Sequence, residues 1–198
     1  MKSEPIERLS RHLVDPELLV LADSFPDSPL TMKTLPAMRK RLRENQRISE
    51  QPPSQIERRT LTIPADDGKH RMPALLYQRQ GLVSKCPAFL HIHGGGMVAG
   101  SMYDQDERNL SVCSQLGITV LSIDYRLAPE HPYPAAIEDC RAGLEWLHAN
   151  ADLLNINRNK IAVGGESAGG GLAASLSQIV SNDGSLRISS QHLVYPML

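Results

Sequence analysis

The chain has 198 residues, 41% of them hydrophobic, and a formal net charge of −1. That length suits one sizeable core with a small appendage, and the near-neutral balance excludes electrostatic attraction to nucleic acid or an anionic membrane. No apolar run approaches the roughly twenty residues that a membrane span needs. The opening Met1-Lys2-Ser3-Glu4-Pro5 has no signal-peptide h-region, so the expectation is a cytoplasmic protein with no membrane span. Cys86, Cys113 and Cys140 are an odd count without a C-x-x-C pair, which argues against a disulfide framework or a zinc site. Cys113 and Cys140 fall on apolar helical positions and read as small buried hydrophobes.

Residues 1–55 read as a charge-rich helical segment ending in a linker. Asp15-Pro16 is an N-cap followed by proline at the first helical position, opening a helix through Ala22. Thr34 precedes Leu35-Pro36 and opens another, with Leu35, Met38 and Leu42 on one face. The cluster Arg39-Lys40-Arg41, with Arg43 and Arg47, reads as a solvated helix face, because acids elsewhere balance it. Gln51-Pro52-Pro53-Ser54 is the linker.

Residues 56–198 alternate strand-like and helix-like runs. Ile56 to Ile63 and Met72 to Gln78 form an antiparallel pair around the turn Ala65-Asp66-Asp67-Gly68. Ala88 to His93 is the next strand. Asp106 to Leu116, closed by Gly117, is a helix with Leu110 and Cys113 inward. Ile118 to Asp124 is a strand, and Pro134 to His148 is a helix with Ile137, Cys140, Leu144 and Leu147 inward. Lys160 to Gly164 and Ser189 to Tyr195 are the last two strands. Strands separated by helices imply an α/β fold, a mostly parallel sheet with helices on both faces.

Two glycine-rich segments carry the chemistry. Gly165-Glu166-Ser167-Ala168-Gly169 reads G-x-S-x-G between the strand ending at Gly164 and a helix whose stripe is Leu172, Leu176, Ile179 and Val180. A sharp strand-to-helix turn forces Ser167 into a strained conformation and holds its hydroxyl clear of the backbone, which suits a nucleophile. A phosphate-binding loop fits less well. Glu166 takes the place of the middle glycine of a dinucleotide fingerprint, and Gly170 is followed by Gly171-Leu172 rather than Lys-Ser/Thr. The second segment is His93-Gly94-Gly95-Gly96, at the end of the buried strand Phe89-Leu90-His91-Ile92-His93. A glycine run there packs nothing and costs backbone entropy, so its use is close approach of main-chain N–H groups to a reacting atom. His91-x-His93 has a metal-ligand spacing, but nothing at hand completes a shell. His91 reads as a core histidine, and no metal is expected.

Together with Asp124-Tyr125-Arg126-Leu127-Ala128-Pro129-Glu130-His131-Pro132-Tyr133-Pro134-Ala135-Ala136, these motifs resemble the hormone-sensitive-lipase family of α/β-hydrolases, esterases with an HGGG loop and a GESAGG elbow. The resemblance implies an α/β-hydrolase fold and hydrolysis of short to medium carboxylic esters without a cofactor. It makes Ser167 the nucleophile, Gly95, Gly96 and Ala168 the oxyanion hole, and His93, with Gly94 and Glu166, a loop-organising group. Asp124, Arg126 and Glu130 are expected in buried polar contacts shaping the wall beside the glycine loop. Residues 1–55 become a helical cap over the acyl pocket. The partner implied is a small-molecule ester.

The family's triad runs Ser, Asp or Glu, then His. Only Asp183 and His192 follow Ser167 in that order, and both are rejected on geometry: Asp183 belongs at the far end of the helix, and His192 lies within a strand. The chain thus reads as the front two-thirds of an esterase, lacking the triad acid and histidine and the last strands, and inactive alone. The strand Ser189 to Tyr195 is then an unprotected edge with Leu193 and Val194 uncovered, inviting oligomerisation or aggregation. The alternative is a non-catalytic small-molecule binder on the same scaffold.

Overall fold

The computed structural model describes residues 11–24, 29–65 and 70–198. The expected turn through Asp66 and Gly68 and the opening residues 1–5 lie outside them. Contacts divide the chain into two compact units, Met1–Met38 and Arg39–Leu198.

In the first unit, the Asp15 carboxylate accepts the Glu17 N–H at 3.0 Å and caps a short 3-10 turn, Pro16–Leu18. The turn continues into helix α1, Leu19–Ser24. Helix α2, Leu35–Glu44, follows. Thr31 and Thr34 cap its entry reciprocally, each hydroxyl accepting the other's backbone N–H at 3.2 and 2.9 Å. The unit boundary falls inside α2, whereas composition places the division near residue 55. Residues just beyond the boundary explain the difference. Gln46 donates to Ser101 and Asp104, and the Ser49 N–H donates to the Asp106 carboxylate at 2.9 Å, so this stretch belongs with the sheet.

The second unit is a six-stranded sheet in the order β1-β2-β4-β3-β5-β6. Its strands are β1 (Ile56–Pro64), β2 (Arg71–Arg79), β3 (Cys86–Ile92), β4 (Thr119–Ile123), β5 (Ile156–Glu166) and β6 (Ser190–Val194). The β1–β2 and β2–β4 pairs are antiparallel; β4, β3, β5 and β6 run parallel. All five residues of β4 are buried, as a strand covered on both faces requires. Alternation sends Leu75, Tyr77 and Val120 into a cluster with Leu110 and Cys113 of helix α3 (Asp106–Leu116). Leu76, Leu90 and Leu121 go to the opposite cluster. That cluster is closed by Cys140, Leu144 and Leu147 of α4 (Ala135–Ala149) and by Leu172 and Leu176 of α5 (Ala168–Asp183). The fold is therefore the α/β arrangement that the sequence predicts, with helices on both faces.

Three expected placements differ. Ile179 is 38% exposed, because the stripe that α5 buries is Leu172, Leu176 and Val180. Ile179 instead lines an open apolar cleft of about 280 Å³ with Met97, Ile137 and Leu172. Leu42 is exposed on α2. β6 does form a sheet edge, but Leu193 and Val194 are half-buried rather than bare, because α5 packs alongside β6 and Leu193 touches the core. Among the described residues no helix is long and apolar enough to cross a membrane.

Candidate active site

β5 runs through Gly165 and Glu166 and turns at Ser167 into α5. Ser167 has φ 52° and ψ −118°, a conformation that costs a non-glycine residue about 1–3 kcal/mol. Main-chain bonds hold it there. Its N–H donates to the Val194 carbonyl at 3.0 Å, and its carbonyl accepts from Gly171 at 3.0 Å and Met197 at 2.9 Å. A Cβ on Gly165 or Gly169 would collide with the Ile92 carbonyl oxygen, so the glycines let the elbow dock directly on the end of β3. The Ser167 side chain makes no capping hydrogen bond to α5 and is half-buried, so the hydroxyl is available for chemistry.

Glu166 faces the other way, as neighbours at an elbow should. Its buried carboxylate takes His91 Nε2 at 3.1 Å and the Arg108 guanidinium. Burial pushes this carboxyl up, but the hydrogen bond and charge of His91 and the charge of Arg108 outweigh it and hold it below the ordinary range. His91 Nδ1 lies 3.0 Å from the Ser122 hydroxyl and 3.2 Å from the Asn109 amide, so His91 is a fully partnered core histidine. Among the described residues no group of three or more His, Cys, Asp or Glu is arranged to hold a metal ion.

The glycine loop leaves β3 at His93. The His93 ring stacks on Tyr125 with centroids 4.1 Å apart, and its Nδ1 lies 2.7 Å from the Gly94 carbonyl. Tyr125 also donates its hydroxyl to the His93 carbonyl at 3.0 Å. Burial lowers the His93 pKa to about 4, so the ring is neutral at pH 7 and Nδ1 carries the proton that Gly94 accepts. Gly95 has φ +114°, and its carbonyl accepts the N–H groups of Val98 at 3.1 Å and Ala99 at 3.0 Å, closing a tight turn. Among the described residues the N–H groups of Gly95 and Gly96 donate to no backbone carbonyl. Both glycines are exposed. The Ala168 N–H lies in the first turn of α5, where helical N–H groups lack intrahelical partners. Loop and elbow meet: a Cβ on Gly94 would lie 3.6 Å from the Ser167 Cβ.

The neighbouring acids are committed elsewhere. Asp124 accepts the Met102 N–H at 3.1 Å. Arg126 is clamped by Asp139, buried on α4, at 2.8 Å. Glu130 is exposed and not buried as expected, because its partner Arg39 reaches it from the solvent side, at 2.7 Å. Asp183 pairs with Arg141 at 2.7 Å at the end of α5 remote from Ser167, and His192 Nε2 lies 3.2 Å from Arg108 Nη2. Sequence reasoning missed Arg108, Asp139 and Arg39. Arg39 is the clearest case. Charge alone makes it part of a solvated face, yet its side chain is only 19% exposed, because two loop carbonyls and Glu130 converge on it. Charge count along a helix carries no signal of which arginine will find buried acceptors.

Residues 89–198 match a family described as alpha/beta hydrolase fold. Carboxylesterase NlhH of Mycobacterium tuberculosis is 36% identical over 191 residues, 95% of this chain and 58% of that protein. Esterase LipI of the same organism is 35% identical over 189 residues, 92% of this chain and 57% of its own length. Among solved structures, a bacterial heroin esterase superposes with a TM-score of 0.85 at 31% identity, covering 96% of this chain and 60% of that one. The chain thus spans somewhat over half the length of these relatives. By fold and by these matches, the chain belongs to the α/β-hydrolase family, in its hormone-sensitive-lipase-like branch.

Proposed function

We propose that the protein is a carboxylic ester hydrolase acting through an acyl-enzyme on Ser167, on esters with short to medium acyl chains. The observation that carries this reading is the strained φ of 52° at Ser167, held by main-chain bonds with the hydroxyl uncommitted, beside a glycine loop with unspent N–H groups. Strain of this kind survives only where the surroundings impose it. Ser167 Oγ attacks the ester carbonyl carbon and loses its proton to a base. The carbonyl oxygen becomes an oxyanion, which accepts from the N–H groups of Gly95, Gly96 and Ala168. Collapse of the tetrahedral intermediate breaks the bond to the alcohol, which leaves with a proton. Water then cleaves the acyl-serine by the reverse sequence. His93 is not the base: its Nδ1 proton is held by Gly94, and its ring braces the loop. Glu166 is likewise spent on His91 and Arg108, and organises the elbow from below.

Among the described residues, neither Asp183 nor His192 bonds to Ser167, so the described residues supply the nucleophile and the oxyanion donors without a general base bonded to the serine. We take their turnover alone to be low for that reason. The same observation favours the second reading, a small-molecule binder on this scaffold. Residues 1–55 are read as a cap segment. Leu18 of the 3-10 turn and Val20 and Leu21 of α1 expose apolar side chains.

Incubation with a fluorophosphonate probe and with p-nitrophenyl butyrate separates the two readings. Covalent labelling that maps to Ser167 and vanishes in Ser167→Ala supports the hydrolase. Saturable ligand binding with neither labelling nor turnover supports the binder.

A further inference from the structure

The second unit contains an arginine whose guanidinium ties the loop that presents Gly95 and Gly96 to the segment Ala128–Glu130. Arg39 Nε donates to the Val98 carbonyl at 2.7 Å, and Nη2 donates to the Ala128 carbonyl at 2.8 Å. The outer edge of the fork is held bidentate by Glu130, at 2.7 and 2.8 Å. The two backbone segments are also joined to each other, through the Ala128 N–H and the Met97 carbonyl at 2.9 Å. Val98 is the residue whose own N–H closes the turn onto the Gly95 carbonyl. The residue is therefore gripped at both ends, by Gly95 on the amide side and by Arg39 on the carbonyl side. A planar fork with fixed donors suits this task, because it meets two carbonyls and a carboxylate at once, which an ammonium on a flexible stem cannot.

A loop of glycines has little stiffness of its own. Gly95 and Gly96 carry no side chains that could pack, and both are exposed. Orientation of their N–H groups has to come from the ends of the loop. One end is fixed by His93 on Tyr125. The other end is fixed by Arg39, reinforced by Gln46, whose amide donates to Ser101 Oγ at 2.6 Å and Asp104 Oδ1 at 2.7 Å. We propose that Arg39 is a positioning residue for the oxyanion loop: by holding the Val98 carbonyl against Glu130 and Ala128, it sets where the Gly95 and Gly96 N–H groups point. The proposal rests on the reading of those groups as oxyanion donors. It makes the alignment of the hole depend on a residue distant in sequence from both the glycines and the nucleophile.

The test compares Arg39→Ala, Arg39→Lys and the neighbouring Lys40→Ala in the full chain, by hydrogen exchange of the peptide spanning residues 94–100 and by the rate of fluorophosphonate labelling of Ser167. Lys40 is exposed and pairs only loosely with Glu44, at 3.7 Å, so Lys40→Ala controls for loss of one helix charge. Arg39→Ala should exchange the Val98 and Ala99 amides about tenfold faster or more, while the core strands stay protected. Labelling should slow by about 10- to 100-fold, the penalty of a misaligned donor pair. Arg39→Lys, which keeps the charge and most of the stem, should fall between Ala and the parent. Lys40→Ala should match the parent in both readouts. If Arg39→Ala does not fold, Arg39→Lys decides alone. Unchanged exchange in residues 94–100 in a folded Arg39 variant overturns the proposal. Should the parent itself fail to label at Ser167, as a serine without an activating base would, exchange alone judges whether Arg39 holds the loop.

Discussion

The elbow and the glycine loop face each other across the candidate site, and they are built by different means. The elbow is a main-chain device. Ser167 is fixed by bonds to Val194, Gly171 and Met197, and by close docking on the Ile92 carbonyl, which only glycine at 165 and 169 permits. The loop is a side-chain device. His93 lies on Tyr125, the Tyr125 hydroxyl holds the His93 carbonyl, and Arg39 holds Val98. A nucleophile placed by backbone sterics tolerates changes in distant side chains. Donors placed by distant side chains do not.

The largest effect separates chemistry from architecture. Ser167→Ala removes the hydroxyl and leaves the turn, since no capping bond is lost. Fluorophosphonate labelling should disappear and the melting temperature should stay within a few degrees. Where a triad is complete, loss of the serine costs on the order of 10⁶ in turnover. The next change breaks the elbow itself. Gly169→Ala sets a methyl against the Ile92 and His93 carbonyls, and backbone cannot yield cheaply. The cost should be about 3 kcal/mol or more, which for a domain of this size lowers the melting temperature by roughly 10 °C. Calorimetry of the variant checks it. The loop should respond more mildly. Tyr125→Phe leaves the buried His93 carbonyl without its donor, worth about 1–3 kcal/mol. Exchange at residues 94–100 should rise while the elbow amides stay protected.

This asymmetry also explains what was legible in the sequence. The elbow is encoded locally: Gly165, Ser167 and Gly169 lie within five residues, and the reason for each glycine follows from the sharpness of a strand-to-helix turn. Helix α3 was equally plain, because Gly117 closes it with a left-handed cap at φ 63°. The parallel sheet followed from short apolar runs alternating with helical stripes. The braces were not legible in this way. Arg39 lies 59 positions from Val98 and 91 from Glu130, and nothing on the helix distinguishes it from Lys40 or Arg41. Arg108 reaches Glu166 across 58 positions. Asp139, buried under Arg126, looks from sequence like any acid on the polar side of α4. Long-range polar contacts depend on which helix face meets which loop, and that is decided only when the sheet is assembled.

Acid titration offers the finest test of the two devices, because His93 and Glu130 ionise in different windows, the elbow's lowered Glu166 sharing the more acidic one. His93 is lowered to about 4 by burial. The unfolded chain therefore binds its proton first, and stability present at pH 7 is lost as the pH falls from about 6.5 through 4, to an extent on the order of 2–3 kcal/mol. Glu130 is lowered to about 2, first by its hydrogen bond to Arg39. Its contribution is whole above the ordinary glutamate range near 4.5 and is lost between there and about 2. Because Glu130 is solvent-exposed, that second limb should be small and should shrink further in salt. Melting temperatures of the parent from pH 7 to 3 should fall in two stages. Glu130→Gln should shrink only the lower stage, in which the lowered carboxyls of Glu166, Asp152 and Asp183 also share, leaving the decline between pH 6.5 and 4 in place. If Glu130→Gln instead flattened the upper stage, the acid sensitivity of the loop would lie in the Arg39 clamp and not in the buried imidazole, and the two ends of the loop would have exchanged roles.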